Sequence, residues 1–126
     1  MLFQIDGSGN SRRIDYLPHS GDYALWRAGL SDAEYTAIID EIERRMSGKE
    51  IEASSFLPGA DWRGTPFWPI YESACNRDFD AARKFFGLLV WEYMRGRSDC
   101  WSFGRYDVRN VAVEGLIYFR VKCPDE

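Results

Sequence analysis

The sequence predicts an α+β fold: a mainly antiparallel sheet packed against two main helices and one short helix. Three observations carry this. Asp78 to Arg97 has a helical period so apolar that more than one neighbour must cover it. Ser31 to Met46 reads as a capped amphipathic helix, and residues 100–121 read as two strands joined by a turn. At 126 residues the chain suits one domain spanning 1–126, long enough to bury about two-thirds of the surface its unfolded form would expose.

In chain order, Met1 to Ile5 is a short apolar run followed by Gly7 to Asn10. Residues 1–15 then form either a hairpin, Leu2–Ile5 on Arg13–Leu17, or a lead-in without docking partners. Pro18 to Asp22 is turn chemistry, and Tyr23 to Arg27 reads as a strand ended by Ala28-Gly29. Ser31 and Glu34 have the spacing of a capping box, and Leu30 and Tyr35 that of a hydrophobic staple. Tyr35, Ile38, Ile39, Ile42 and Met46 make one apolar stripe, with Asp40, Glu41, Glu43, Arg44 and Arg45 facing water.

Glu50 to Ser54 predicts a short strand. Ser55 to Pro69 differs in kind, holding three Pro, two Gly, two Trp and two Phe, so that turns fix an irregular path and rings pin it to the body. Thr65 and Pro66 suit the first positions of a short helix running toward Asn76, with Ile70, Tyr71 and Ala74 inward.

In the central helix, Phe79, Ala82, Phe86, Leu89, Val90 and Tyr93 share a face, and Phe85 and Leu88 widen it. Asp78 or Asp80 caps its start and Gly96 stops it. Gly87 costs about 1 kcal/mol of propensity relative to Ala, and the expected return is close approach by another backbone. Glu92 projects inside the apolar arc, so its carboxylate must be paired, protonated or at the edge of the buried region. The structural reading is an ion pair with an arginine of the C-terminal hairpin.

Cys100 to Tyr106 and Val111 to Val121 are the two strands, turning at Asp107 to Asn110 and therefore antiparallel. The second is apolar on both faces, as an interior strand should be. Gly104 and Gly115 mark bulges or close crossings.

Composition narrows the function classes. The chain is 45% hydrophobic and 16% aromatic, with more rings than a core of this size needs, so some are expected at an interface or pocket. Residues 1–63 carry seven basic and eleven acidic side chains, and residues 64–126 nine of each. The best basic grouping, Arg95, Arg97, Arg105 and Arg109, is interrupted by Asp99 and Asp107, which favours internal salt bridges over phosphate contacts and argues against a nucleic-acid partner. Cys75, Cys100 and Cys123 are odd in number, have no CxxC spacing and share the chain with a single histidine, His19. No zinc pattern can be assembled, neither metal nor cofactor is expected, and the three thiols are expected to be reduced. The opening residues lack the regions of a signal peptide and no apolar run reaches membrane-spanning length, so the expectation is a cytoplasmic protein with no membrane contact.

No nucleophile has an evident base, since His19 lies in a turn with no signature linking it to a thiol. Gly7-x-Gly9 precedes no helix and is a turn. Asp61, Glu72, Glu92, Asp107 and Glu114 are the carboxylates available for acid–base work, and each also suits a salt bridge. The ring-rich loop is the best binding surface: Trp62 and Trp68 flank Asp61, Arg63 and Thr65, a mixture that suits an interface or a small pocket, or else seals the loop onto the core. The candidate binding residues are Asp61, Trp62, Arg63, Trp68, Glu92 and Arg105, with no catalytic or metal-ligating residue among them.

In its stretches FLPGADWRGTPFWPIYESAC and WSFGRYDVRNVAVEGLIYFRV, the chain resembles the small orphan proteins of bacterial mobile (integron) gene cassettes. The resemblance is one of size and style and carries no functional residue across. It implies a bacterial cytoplasmic protein of accessory function, often oligomeric. The functional expectation is a non-enzymatic binding protein, adaptor- or immunity-like, that uses the aromatic loop toward a protein partner or a second copy of itself. The alternative is a small ligand-binding domain or enzyme, with a pocket between that loop and the sheet and Glu92 or Glu114 as the acting carboxylate.

Overall fold

The computed structural model describes residues 1–5, 10–47, 51–53, 62–104 and 117–123, with 51–53 and Ile117 described by backbone alone. Its strands are β1 (Leu2–Ile5), β2 (Ser11–Ile14), β3 (Ile51–Ala53), β4 (Trp101–Gly104) and β5 (Ile117–Arg120). Its α-helices are α1 (Ser20–Arg27), α2 (Asp32–Met46) and α3 (Phe79–Arg95), with a π-helical turn at Ile70–Ala74. The fold is α+β.

The five strands form one sheet in the order β2-β1-β4-β5-β3. β1 pairs antiparallel with β2, and β5 with both β4 and β3, whereas β1 and β4 run parallel. The expected antiparallel pairing of the two C-terminal strands therefore stands, in the register Trp101↔Arg120 to Gly104↔Ile117. That register is regular through Gly104, which marks no bulge. The described part of the last strand is interior, between β4 and β3. Its continuation, with the turn at 107–110, Glu114 and Gly115, lies outside the described residues. Trp101 and Ser102 point to opposite faces of β4, yet both are buried, and the Ser102 hydroxyl donates to the Phe3 carbonyl oxygen at 2.8 Å.

α3 is the axis of the core. Phe85, Phe86, Leu88, Leu89, Val90, Trp91 and Met94 are all buried, and different neighbours cover different sides. Phe85 meets the rings of Tyr23 and Trp26 on α1 at 5.8 and 5.7 Å, Phe86 meets Phe67 at 5.2 Å, and Trp91 meets Phe103 of β4 at 4.9 Å. Asp78 is the cap, its side chain accepting from the Ala81 N–H at 3.2 Å, and Gly96 closes the far end. Gly87 is buried within this surface. Phe79 departs from expectation. It is 57% exposed, because the first helical residue overhangs the end of the core, and the Arg83 guanidinium lies 5.8 Å from its ring centre.

α2 begins as its sequence requires. The Ser31 hydroxyl accepts from the Glu34 N–H at 3.0 Å while the Glu34 carboxylate accepts from the Ser31 N–H at 2.9 Å. Ile38, Ile42 and Met46 are the buried members of its stripe.

Three expectations are corrected. Residues 23–27 are helical, not a strand. Tyr23 and Trp26, three apart, both reach Phe85, and a five-residue window rich in rings fits either period until its partner is known. Cys100 and Cys123 are joined in a disulfide with Cα atoms 5.3 Å apart, leaving Cys75 as the free, buried thiol. Antiparallel pairing of β4 and β5 brings these two together, a juxtaposition that linear spacing does not reveal. The N-terminal hairpin exists, but β1 pairs with 11–14 and not with 13–17, since Leu2↔Ile14 matches two buried residues.

The short helix also begins later than Thr65-Pro66. The Thr65 hydroxyl donates to the Trp62 carbonyl oxygen at 2.7 Å and accepts from the Phe67 N–H at 3.2 Å, closing a turn before the π-helical bond from the Cys75 N–H to Ile70 O at 3.1 Å. Gly29 is required by close approach, because a Cβ there would sit 3.0 Å from the Cα of Ala74 in that turn.

Candidate functional site

Amphipathic spacing puts Tyr35, Ile39 and Glu43 on one edge of α2. The end of α3 supplies Glu92, Tyr93 and Gly96, and the chain leaving it supplies Arg97 and Ser98. Between these elements lies an open cleft of about 390 Å³. That is near the lower end of the ~300–1,000 Å³ common for ligand sites.

Glu92 is paired, although its partner differs from the one expected. Arg95, one turn on in the same helix, donates through Nε to Glu92 Oε1 at 2.6 Å, and its Nη1 reaches the Asp15 carbonyl oxygen at 3.4 Å. The pair ties α3 to the segment after β2. The cleft that Glu92 lines is formed by α2, the end of α3 and the residues that follow it.

Arg97 is held on three sides. Its Nε and Nη2 each donate to Asp99 at 2.8 Å, and Nη1 donates to the Tyr93 hydroxyl at 2.5 Å. Asp99 also accepts from the Trp101 indole N–H at 2.9 Å, and Arg120 lies 3.6 Å away. The Arg97 hydrogen bonds, aided by that of Trp101, hold the Asp99 carboxyl at about 2, well below the usual carboxylate range. Arg97 is raised in turn, chiefly by Asp99. The backbone nitrogen of Met1 donates to the carbonyl oxygens of Met94, Arg97 and Asp99, which fastens the cleft's wall to the start of β1.

Two tyrosine hydroxyls beside the cleft are held protonated. Burial raises Tyr23 most, with the Tyr35 hydroxyl and the Glu92 charge adding to it. Burial also raises Tyr93, against the opposing charge of Arg97 and with that of Glu43. Glu43 itself is exposed and has no cationic partner among the described residues.

The aromatic loop divides. Trp62 is half-buried against Phe67 and Phe86, at 6.3 and 5.7 Å, and so seals the loop onto α3. Trp68 rests on Tyr71 at 5.3 Å. Arg63 is exposed, while Asp61 and Arg105 lie outside the described residues, as do Asp107 and Glu114. Glu72 is paired with Arg77 at 2.7 Å. Among the candidate residues, then, the structure brings Glu92 into the cleft and Trp62 onto the core. Arg95 and Arg97 are consumed in the internal salt bridges that the sequence favoured, and Arg109 lies outside the described residues.

Sequence reasoning missed Tyr35, Ile39, Glu43, Tyr93, Arg97 and Ser98 as cleft residues. The stripe on α2 was legible, but its pairing with the end of α3 was not. Among the described residues no group of three or more His, Cys, Asp or Glu is placed to hold a metal ion, and no helix is long and apolar enough to cross a membrane. No family model matches the chain, and neither does any curated protein or solved structure. The cleft's own chemistry carries the functional reading.

Proposed function

We propose that this chain is a non-enzymatic binding protein of accessory, adaptor- or immunity-like type, and that its partner seats in the α2–α3 cleft. One observation supports the reading. The cleft is open and preformed, and its Glu92, Arg97 and Tyr93 are all engaged in internal bonds. Such walls offer shape and fixed charge, and none of these three groups is free to act as a nucleophile or base. The ring-rich loop enters in a supporting role: Trp62 is committed to the core, whereas half-buried Trp68 keeps an exposed edge for a partner. The resemblance to gene-cassette proteins supports an accessory role in a bacterium, with a second copy of the chain as one possible partner. The disulfide fits an oxidising compartment better than the reducing cytoplasm expected from the sequence.

The reading is tested by Ile39→Arg, which fills the cleft from the half-buried edge of the stripe and spares its buried members Ile38, Ile42 and Met46. A partner captured from the native host by the wild-type chain should be lost by this variant while its circular dichroism and melting temperature hold. Equal capture by both chains would remove the cleft from the function.

The second reading, a ligand-binding domain or enzyme using Glu92, is favoured by that residue's place in the cleft. It requires the Arg95 pair to open, and Glu92→Gln should then abolish turnover of a substrate while leaving partner capture intact.

A further inference from the structure

We infer that the α2–α3 cleft takes an organic cation, an alkylammonium or guanidinium group, with its head against Glu43 and its aliphatic part along Ile39. The inference rests on the proposed role of the cleft as the docking site and names the chemistry that it recognises.

The charge inventory carries it. Every described arginine around the cleft is already committed. Arg97 is bound to Asp99 and the Tyr93 hydroxyl, Arg95 to Glu92 and the Asp15 carbonyl, and Arg44 and Arg45 to Glu41 at 2.5 and 2.8 Å. Arg27 lies 4.0 Å over the Tyr35 ring and binds Asp32. Glu43 is thus the carboxylate on the lining that forms no ion pair with a described cation. The wall opposite is the C-terminal end of α3 and the chain leaving it, where the Met1 nitrogen already caps the carbonyl oxygens of Met94, Arg97 and Asp99, so Glu43 is the group that sets the charge a ligand meets. An anion would meet Glu43, with Arg97 already spent on Asp99 and the Tyr93 hydroxyl. Ile39 and the two tyrosines supply apolar surface between the charges, which a bare metal ion would not use and an alkyl chain would.

The field also acts on the neighbouring hydroxyls. Glu43 pushes the Tyr93 hydroxyl upward and Glu92 does the same to Tyr23, each after burial as the larger cause. Both hydroxyls therefore stay neutral, Tyr93 accepting from Arg97 and Tyr23 bonded to the Tyr35 hydroxyl.

The test is an NMR titration of the full chain with n-butylammonium, with n-butanol as its neutral counterpart and with a short lysine-containing peptide. Saturable shifts are expected at the amides of Ile39, Glu43 and Gly96 with butylammonium, weakening as salt is raised, and none with butanol. Glu43→Gln should weaken binding by about three- to fivefold, as for an exposed ion pair, and Glu43→Lys should remove it. A peptide that binds more tightly than the free amine would identify a protein side chain as the source, and equal affinities would identify a free amine. Equal shifts with butanol, shifts spread over Asp40, Glu41 and Glu72, or unchanged affinity in Glu43→Gln would overturn the inference. If cations fail to bind while Ile39→Arg still abolishes partner capture, this inference falls and the proposed function stands. If cations bind and Ile39→Arg leaves capture intact, the reverse holds.

Discussion

Replacing Asp99 by Asn removes one charge and almost no volume from the point where four parts of the chain meet. Its carboxylate accepts from Arg97 twice and from the Trp101 indole, with Arg120 at 3.6 Å. The amide keeps one acceptor oxygen, so geometry is largely conserved and the charge-assisted part of each bond is lost. The size of that part follows from the shift of Asp99 from 3.8 to about 2, at about 1.4 kcal/mol per unit. Reduced for its partial exposure to solvent, this gives an expected loss of about 1–2 kcal/mol at neutral pH.

The sign of the pH dependence is fixed by the direction of the shift. A carboxyl depressed in the folded state contributes fully above its ordinary value of 3.8 and loses the contribution as pH falls toward 2. Urea unfolding of wild type and Asp99→Asn should therefore differ by that amount at pH 7. The gap should narrow steadily below pH 4, down to the lowest pH at which both chains fold. Glu41, held at about 2 by Arg44 and Arg45, titrates in the same window but is present in both chains and cancels. No difference at pH 7 would show that the hub does not stabilise the fold. A gap that stays constant as pH falls would show that the loss is geometric, and would refute the electrostatic account.

Three further outcomes are expected. Thiol titration in denaturant should find one reactive group, Cys75, before reduction and all three cysteines after it; Cys123→Ser should cost about 3 kcal/mol, as for a closed loop of this length, read by urea unfolding. Tyr118→Phe should leave stability unchanged or raise it by up to about 1 kcal/mol, because the buried Tyr118 hydroxyl has no hydrogen-bond partner among the described residues. A marked loss in thermal unfolding would reveal a bond to that oxygen.

What could be read from sequence was whatever depends on near neighbours. The Ser31–Glu34 box, the stop at Gly96 and the apolar breadth of α3 are local signals, and each has its expected counterpart. Tyr23–Arg27 failed for the same reason that short windows generally fail: tertiary contact with Phe85 selects the helix, and the sequence does not contain that contact. Phe79 was placed in the core by its angle around the helix, but angle says nothing of position along the axis, where it overhangs. The disulfide and the cleft belong to a third class. Cys100–Cys123 needs the β4–β5 register, and the cleft needs α2 laid beside the end of α3. Glu92 was legible as an anomaly because it broke a pattern. Glu43 broke none and drew no notice.

The parts that define the cleft are fixed from far along the chain, which bears on how it can work. The Met1 nitrogen caps the carbonyl oxygens after α3, Arg95 reaches back to Asp15, the Trp91 indole N–H donates to the Tyr16 carbonyl oxygen at 3.0 Å, and Asp99 draws in β4 and β5. These bonds immobilise Glu92, Tyr93 and Arg97 before any partner arrives. Binding then spends little on ordering side chains, so even a modest contact area can give useful affinity. The same rigidity disfavours acid–base chemistry at Glu92, whose proton traffic would require the Arg95 pair to break in each cycle. A fixed wall opposite one exposed carboxylate on α2 suits recognition of charge better than its transfer, and that asymmetry between committed Glu92 and uncommitted Glu43 is what joins the fold to the proposed function.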